Sequence, residues 1–186
     1  MAMNILGIAC SPRPRGNSTI LLETAIDYLG SQGNKTNIVR LRELKFKPCI
    51  GCESCSKTGI CIFKDDLVDL FQKIEDTDKL IIAAPVFSMN INALAKGMID
   101  RAQMYWARKY VLKVNEKPPK PGMFISTAGM NLQGVHDCSK KTIKYFYKML
   151  DVKYKLEFFV NQVDPPGEIL SKPDKLTKFK DMLKTF

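Results

Sequence analysis

Two short segments of the sequence carry side chains whose types and spacing suit chemistry. The first has four cysteines within thirteen residues, in the pattern C-x2-C-x2-C-x5-C. Gaps of two residues let successive thiolates turn toward one centre, and Gly51 and Gly59 permit the tight turns that this requires. We call residues 48–62 the cysteine loop and predict that it holds a metal or redox centre. Its candidate ligands are Cys49, Cys52, Cys55 and Cys61.

The cysteine spacing leaves three kinds of centre open. The first three thiols resemble the C-x2-C-x2-C run of ferredoxins, which favours an iron–sulfur cluster. Zinc ribbons usually pair two separated C-x2-C knuckles, so a zinc ion fits less well. Free or redox-active thiols are the third alternative, and disulfides are disfavoured in a reducing cytosol. Of the other two cysteines, Cys10 is expected to be a small buried residue, and Cys138 has no evident partner.

The second segment is a polar stretch at residues 10–19, which we call the polar loop. It follows the first predicted strand and opens the first predicted helix, where free backbone N–H groups and a partial positive charge favour a phosphate. It lacks GxGxxG and GxxxxGKS/T, so neither a dinucleotide fold nor a P-loop NTPase is indicated. The plain alternative is that Asn17 or Ser18 only caps the helix. The side chains predicted to add donors or charge are Ser11, Arg13, Arg15, Asn17, Ser18 and Thr19.

Hydrophobic periodicity predicts that strands and helices alternate along the chain. Near-continuous apolar strands separated by helices predict one α/β domain over residues 1–186, with a parallel sheet covered on both faces. Ligands of such sheets bind at the carboxyl ends of the strands. The predicted strands are 4–9, 36–41, 79–84, 123–127 and 153–160, and a polar link at 115–121 precedes the fourth. The predicted helices are 17–29, 65–74, 93–108, 137–150 and 174–185.

Several motifs together resemble the NADPH-dependent FMN reductase family of flavodoxin-like proteins. The polar loop resembles the family's phosphate loop, and APVFSMN after the third strand resembles its second flavin loop, with Phe87 where Tyr is more usual. KGMIDR and TAGM fall where the following helix and the third flavin loop are expected. The resemblance implies a five-stranded sheet of order 2-1-3-4-5 and FMN bound at its phosphate by the polar loop. The residues implied around the ribityl chain and ring are Pro85, Val86, Phe87, Ser88, Met89, Asn90, Thr127, Ala128 and Gly129.

The cysteine loop is similar to that of iron–sulfur flavoproteins, a group within the same family. This resemblance implies a [4Fe–4S] cluster held by the four cysteines beside FMN, and an oxidoreductase that moves electrons between FMN and a partner or small acceptor. One alternative is an NAD(P)H-dependent FMN or quinone reductase without a cluster. An alternative from another functional class is a basic binding module that is stabilised by a zinc ion and has no redox function. No side chain is an evident acid or base, so no catalytic residue is predicted, and His136 is either a local polar contact or a proton donor.

Charge and composition restrict the partners. The net charge is +10, which suits an acidic electron carrier such as ferredoxin. No basic run is interleaved with aromatic residues, as it is in proteins that bind single-stranded nucleic acids, so no nucleic-acid partner is predicted. No apolar run approaches the ~20 residues of a membrane helix, and no secretory leader is recognisable, which predicts a cytoplasmic protein without a membrane partner. The family resemblance implies a homodimer or homotetramer, with NAD(P)H as a transient substrate.

Overall fold

A computed structural model describes residues 2–114 and 118–186, and its centre is a parallel sheet of five strands. The sheet order is β2-β1-β3-β5-β6. Counted along the parallel strands alone, this is the order 2-1-3-4-5, so the predicted flavodoxin-like topology is confirmed. The short β4 was not predicted and pairs antiparallel with the end of β3. The strands are β1 (Asn4–Ala9), β2 (Lys35–Arg40), β3 (Lys79–Phe87), β4 (Asn90–Ile91), β5 (Lys120–Thr127) and β6 (Val152–Val160).

The helices follow the predicted positions, with one break. The helix predicted over 93–108 is interrupted at Ala102, whose ψ of 3° departs from α geometry, and its last turn is a π-helix over Ala107–Val111. Of the polar link predicted at 115–121, residues 115–117 lie outside the described residues, and β5 begins at Lys120. The helices are α1 (Asn17–Ser31), α2 (Ser54–Thr58), α3 (Asp66–Asp76), α4 (Ala93–Arg101), α5 (Gln103–Trp106), α6 (Asp137–Met149) and α7 (Pro173–Leu183).

The sheet separates two hydrophobic cores, because successive strand residues point to opposite faces. On one face, Ile81 packs in a cluster with residues of α1 and α7, among them Phe179. On the other face, Ile82 packs with residues of α3, α4 and α6, among them Phe71 and Phe146. This arrangement explains why the β3 segment is apolar at every position from Leu80 to Ala84. Within the described part of the chain, no helix has the length and apolar character needed to cross a bilayer.

The carboxyl ends of β1, β3, β5 and β6 meet at one edge of the sheet. The backbone N–H of Cys10 donates to the carbonyl of Ala83 at 2.8 Å, and the side chain of Asn92 donates to the carbonyl of Cys10 at 2.6 Å. The N–H of Ala128 donates to the carbonyl of Val160 at 2.9 Å. These bonds fix the loops that follow the strands against one another, so this edge is a rigid platform.

Candidate functional site

The polar loop and the two other predicted loops meet in one cleft at the carboxyl edge of the sheet, which we call the edge cleft. Eight of the fifteen predicted cofactor-binding residues line it. They are Ser11, Arg13, Asn17, Pro85, Val86, Phe87, Thr127 and Gly129, joined by Gly16, Val163 and Asp164. The predicted residues outside this lining are Arg15, Ser18, Thr19, Ser88, Met89, Asn90 and Ala128.

The N-terminus of α1 opens into this region without a cap. Gly16 is the residue before the helix, no side chain caps its first turn, and that turn contains no acidic residue. A Cβ atom on Gly16 would lie 2.2 Å from Oγ of Ser11, so only glycine fits there. Ser11 Oγ accepts a hydrogen bond from the N–H of Arg13 at 3.1 Å and shapes the turn. The helix therefore keeps the partial positive charge that favours a bound anion.

Two hydroxyls in the first turn of α1 are buried without partners. Ser18 Oγ and Thr19 Oγ1 make no hydrogen bond with the described residues, and the two residues are at most 1% exposed. Buried polar groups are nearly always hydrogen-bonded, so such exceptions call for an explanation. Hydroxyl donors beside an uncapped helix N-terminus fit a phosphate group, which accepts several hydrogen bonds. The polar loop therefore suits the FMN phosphate that the sequence implies.

Asn17 and Arg13 mainly join the polar loop to residues 163–169. The Asn17 side chain donates to the carbonyl of Pro165 and accepts from the N–H of Ile169, both at 3.0 Å. Arg13 donates to the carbonyl and carboxylate of Asp164 at 2.5 and 3.1 Å. Residues 163–169 lie between the last predicted strand and the last predicted helix, and no site residue was predicted there. The available signal was their position after the last strand, at the same edge of the sheet.

The second loop carries local backbone strain. Ser88 and Met89 join β3 to β4 with φ values of 49° and 65°, a left-handed conformation that is unusual for residues other than glycine. Such strain persists only where the surroundings fix it, and it is common at ligand-binding sites. Phe87 is 42% exposed just before the turn, and Met130 and Leu132 are also exposed. These three side chains offer apolar surface suited to a flat aromatic ring.

All four cysteines of the cysteine loop line a second cavity, of about 290 Å³. Cys49 and Cys52 are exposed, and Cys55 and Cys61 are partly buried. Burial, together with the neighbouring sulfurs, raises the pKa of the Cys55 thiol, although a backbone hydrogen bond opposes this. Over residues 2–114 and 118–186, no three Cys, His, Asp or Glu side chains are grouped closely enough to hold one metal ion.

Side chains from outside the loop hold its two ends together. The Arg101 guanidinium makes a bidentate ion pair with Asp65, at 2.7 and 3.1 Å, and donates to the carbonyl of Lys47 at 2.8 Å. Asp65 also accepts from the N–H groups of Lys47 and Leu67, so it caps α3. Burial opposes the charge of Asp65, but the hydrogen bonds from Arg101 outweigh it and lower the pKa of this carboxyl. In mid-loop, Arg108 Nε donates to the carbonyl of Gly59 at 2.6 Å.

His136 lies outside both cavities. Its ring is stacked on Phe159, with centroids 4.7 Å apart, and its nitrogens contact Ser126 Oγ at 2.9 Å and Asn161 Oδ1 at 2.6 Å. Burial lowers the pKa of His136, and the contact with Asn161 only partly opposes this. This geometry favours the local polar contact over the proton donor among the two interpretations of His136.

The largest cavity contains none of the predicted site residues. It measures about 360 Å³ and is lined by apolar side chains, among them Ile74, Leu112 and Met149. It also borders Val114 and Lys120, on either side of residues 115–117. Neither the cysteines nor the polar loop contribute to it, so size alone is a poor guide to the functional site in this fold.

The chain matches the model of one protein family and resembles several characterised proteins. The family model, described as NADPH-dependent FMN reductase, matches residues 3–162. An iron–sulfur flavoprotein of Methanocaldococcus jannaschii is 34% identical over 101 residues, which are 54% of this chain and 52% of the relative. An iron–sulfur flavoprotein of Archaeoglobus fulgidus is 35% identical over 106 residues, 57% of this chain and 48% of the relative. The matches thus span about half the length of these relatives.

A solved structure resembles almost the whole chain. The NAD(P)H:quinone oxidoreductase from Methanothermobacter marburgensis superposes with a TM-score of 0.75 over 98% of this chain and 95% of its own. Its sequence is only 16% identical, so the likeness concerns the fold alone. It supports the flavodoxin-like topology read from the strand order.

Proposed function

This chain belongs to the NADPH-dependent FMN reductase family, and from that premise we propose that it is an FMN-dependent oxidoreductase whose cysteine loop holds a [4Fe–4S] cluster. The observation that carries the proposal is the convergence of all four cysteines on one cavity, in a fold that also has the edge cleft. The names of the two archaeal relatives support the same pairing of a flavin with an iron–sulfur centre.

In this proposal the polar loop holds the FMN phosphate, and the other two loops hold the rest of the flavin. The N-terminus of α1 and the hydroxyls of Ser18 and Thr19 supply donors without competing partners. Arg13 and Asn17 act through residues 163–169, closing the cleft from the side. Bound FMN supplies the capacity to exchange either one or two electrons. The chain's own part is to bind it, orient it and present exposed apolar surface, such as Phe87, to the ring.

The cysteine cavity suits a cluster better than a single ion. A zinc ion with four thiolates draws the sulfurs to within about 4 Å of one another around one point. Four thiols around a cavity of about 290 Å³ instead suit a group of several atoms with one ligand at each of four corners. With both centres present, the protein could link a two-electron donor to a one-electron acceptor, in either direction.

The partners of this reaction are part of the proposal. We place the protein in the cytoplasm, where its six free cysteines stay reduced. NAD(P)H is a candidate transient donor, and ferredoxin or another acidic carrier a candidate partner, because the net charge is +10. Assembly as a homodimer or homotetramer is expected from the family resemblance, and no nucleic acid or membrane partner is proposed.

The first experiment is anaerobic purification followed by a visible spectrum and assays of iron, sulfide and flavin on the same sample. About one FMN, four irons and four sulfides per chain is the expected result. Flavin with fast NAD(P)H oxidation and no iron would indicate the plain reductase instead. Zinc without flavin, and nucleic-acid binding that weakens steeply with salt, would indicate the basic binding module. A protein that cannot be reconstituted with FMN would overturn the proposal.

A further inference from the structure

Arg101, at the C-terminal end of α4, lines the cysteine cavity with a side chain that is only 1% exposed. Its planar guanidinium has five N–H donors in fixed directions. The Nη1 and Nη2 groups donate to Asp65 and to the carbonyl of Lys47. The carbon of the guanidinium lies 4.8 Å from the centre of the Phe63 ring. Most of the side chain is therefore fixed by identified contacts.

One of the three nitrogens of this guanidinium has no partner in the described part of the chain. Arg101 Nε is buried and makes no hydrogen bond with any described residue. A buried N–H without an acceptor is unfavourable, so the group requires an explanation. A candidate acceptor is the sulfur of Cys61, which lies with Arg101 in the lining of a smaller cavity of about 110 Å³. Cys61 and Arg101 lie together in the wall of the cysteine cavity.

We propose that Arg101 is a positioning residue for the metal centre, whose Nε–H donates to the Cys61 sulfur when that sulfur is a thiolate ligand and thereby raises the reduction potential of the centre. The inference rests on the proposed cluster. A donor to a ligand sulfur stabilises the reduced centre more than the oxidised one, because the reduced centre carries more negative charge. Hydrogen bonds to the sulfurs are among the features that set such potentials.

Arg108 supplies a matched control for this role. It also holds the cysteine loop, through the bond from its Nε to the carbonyl of Gly59, and it pairs with Glu75 at 3.0 Å. It does not line the cysteine cavity. If Arg101 only clamped the loop, replacing either arginine would change the amount of bound cluster without changing the potential of the cluster that remains.

The experiment measures the midpoint potential of the cluster in anaerobically purified protein, with the FMN potential in the same sample as an internal reference. The variants are Arg101→Lys and Arg101→Met, matched with Arg108→Lys and Arg108→Met. Lysine keeps the charge but cannot reproduce the fork of the guanidinium or its Nε donor. We expect the potential to fall in Arg101→Lys, to fall further in Arg101→Met, and to stay at the wild-type value in both Arg108 variants.

Three results would overturn the inference. The first is a cluster in Arg101→Lys whose midpoint potential equals that of the wild-type protein. This result would overturn the inference and leave the proposed function intact. The second is an equal change of midpoint potential in the Arg101 and Arg108 variants. The third is a folded Arg101→Lys protein that binds FMN but no cluster. Either result would show that Arg101 only holds the loop in place. If Arg101→Met does not fold, the midpoint potential of the Arg101→Lys cluster alone tests the inference. Wild-type protein without iron after reconstitution would instead remove the proposed cluster itself, and the inference with it.

Discussion

In the polar loop, Ser11, Ser18 and Thr19 are at most 2% exposed, whereas in the cysteine loop Cys49 and Cys52 are exposed. The polar loop is held by backbone geometry, since it connects a core strand directly to a core helix. The cysteine loop contains only the short helix α2 and is held by Arg101 at the end of α4, by Arg108 in the π-helix and by Asp65, which follows the loop. The carboxyl edge of the sheet, which is part of the fold itself, can bind a phosphate. The four thiols are positioned only by additional side-chain contacts to their loop.

This contrast predicts that changes in the cysteine loop remove its centre without disturbing the flavin. Replacing Cys49, Cys52, Cys55 or Cys61 by serine should abolish iron binding, because a thiolate ligand is lost from a four-ligand set. FMN content should stay at the wild-type level, since the edge cleft shares no lining residue with the cysteine cavity. Iron and flavin assays measure both, with Cys138→Ser as the control. Loss of FMN together with iron would show that the two regions are not independent.

The side-chain clamp should matter more for stability than an exposed ion pair does. Asp65→Asn leaves the buried Arg101 guanidinium without its counter-charge, and we expect the unfolding free energy to fall by about 2–3 kcal/mol. This is below the value for a fully buried pair, because the Asp65 side chain is 17% exposed.

The matched control is Asp100→Asn, which breaks the exposed pair between Asp100 and Lys96 within α4. That change should cost only about 0.3–0.5 kcal/mol. Urea unfolding of the metal-free protein compares the two variants. Equal losses would show that the cysteine loop is as weakly coupled to the core as a surface pair.

In the polar loop we expect substitutions to weaken FMN binding without lowering the stability of the flavin-free protein. Ser18→Ala and Thr19→Ala remove hydroxyls that have no partner among the described residues, so the flavin-free protein should be as stable as wild type or slightly more so. Each should nevertheless weaken FMN binding by about 10- to 150-fold, the loss of one hydrogen bond to a charged group.

Fluorescence titration with FMN and thermal unfolding test the two expectations. Ser139→Ala is the control, because its hydroxyl is also buried and unpartnered but lies in α6 and not in the first turn of α1. Unchanged FMN affinity in both polar-loop variants would contradict the assignment of these hydroxyls to the phosphate.

The smallest expected effect concerns His136, which belongs to neither region. Burial lowers the pKa of His136 below the ordinary 6.5. Between these two pKa values the unfolded chain binds a proton that the folded chain does not, so stability decreases as the pH falls below 6.5. His136→Gln should remove this slope. Because the chain has one histidine, its NMR signal is unambiguous, and a midpoint at or above 6.5 would contradict the prediction.

Much of the fold could be predicted because its signals are local. The alternation of apolar strands with amphipathic helices predicted a parallel sheet covered on both faces, and the bounds of β1 agree with the prediction. The order of the strands was implied only by the family resemblance. The hairpin at Ser88 and Met89 was not predicted, because neither of these two central turn residues is the glycine or asparagine that usually marks such turns. The break at Ala102 was missed for a related reason, since alanine favours an uninterrupted helix.

The candidate site was predictable only in part. The polar loop and the four cysteines are contiguous in sequence, so their residue types and spacing identify them directly. Asp65 opens the predicted helix 65–74, but its pairing with Arg101 spans 36 residues and depends on how α3 and α4 pack. Residues 163–169 contact Asn17 across about 150 positions, and no local pattern contains that information.

The sequence by itself therefore determined which side chains are available for chemistry and the secondary structure that bears them, because hydrophobic period, turn residues and ligand spacing act over a few positions. Only the tertiary structure decided which distant groups complete each site. Arg101 reaches the cysteine cavity and Asp164 reaches Arg13 because parallel strands bring segments far apart in the chain to one edge, where close packing leaves each buried donor few acceptors.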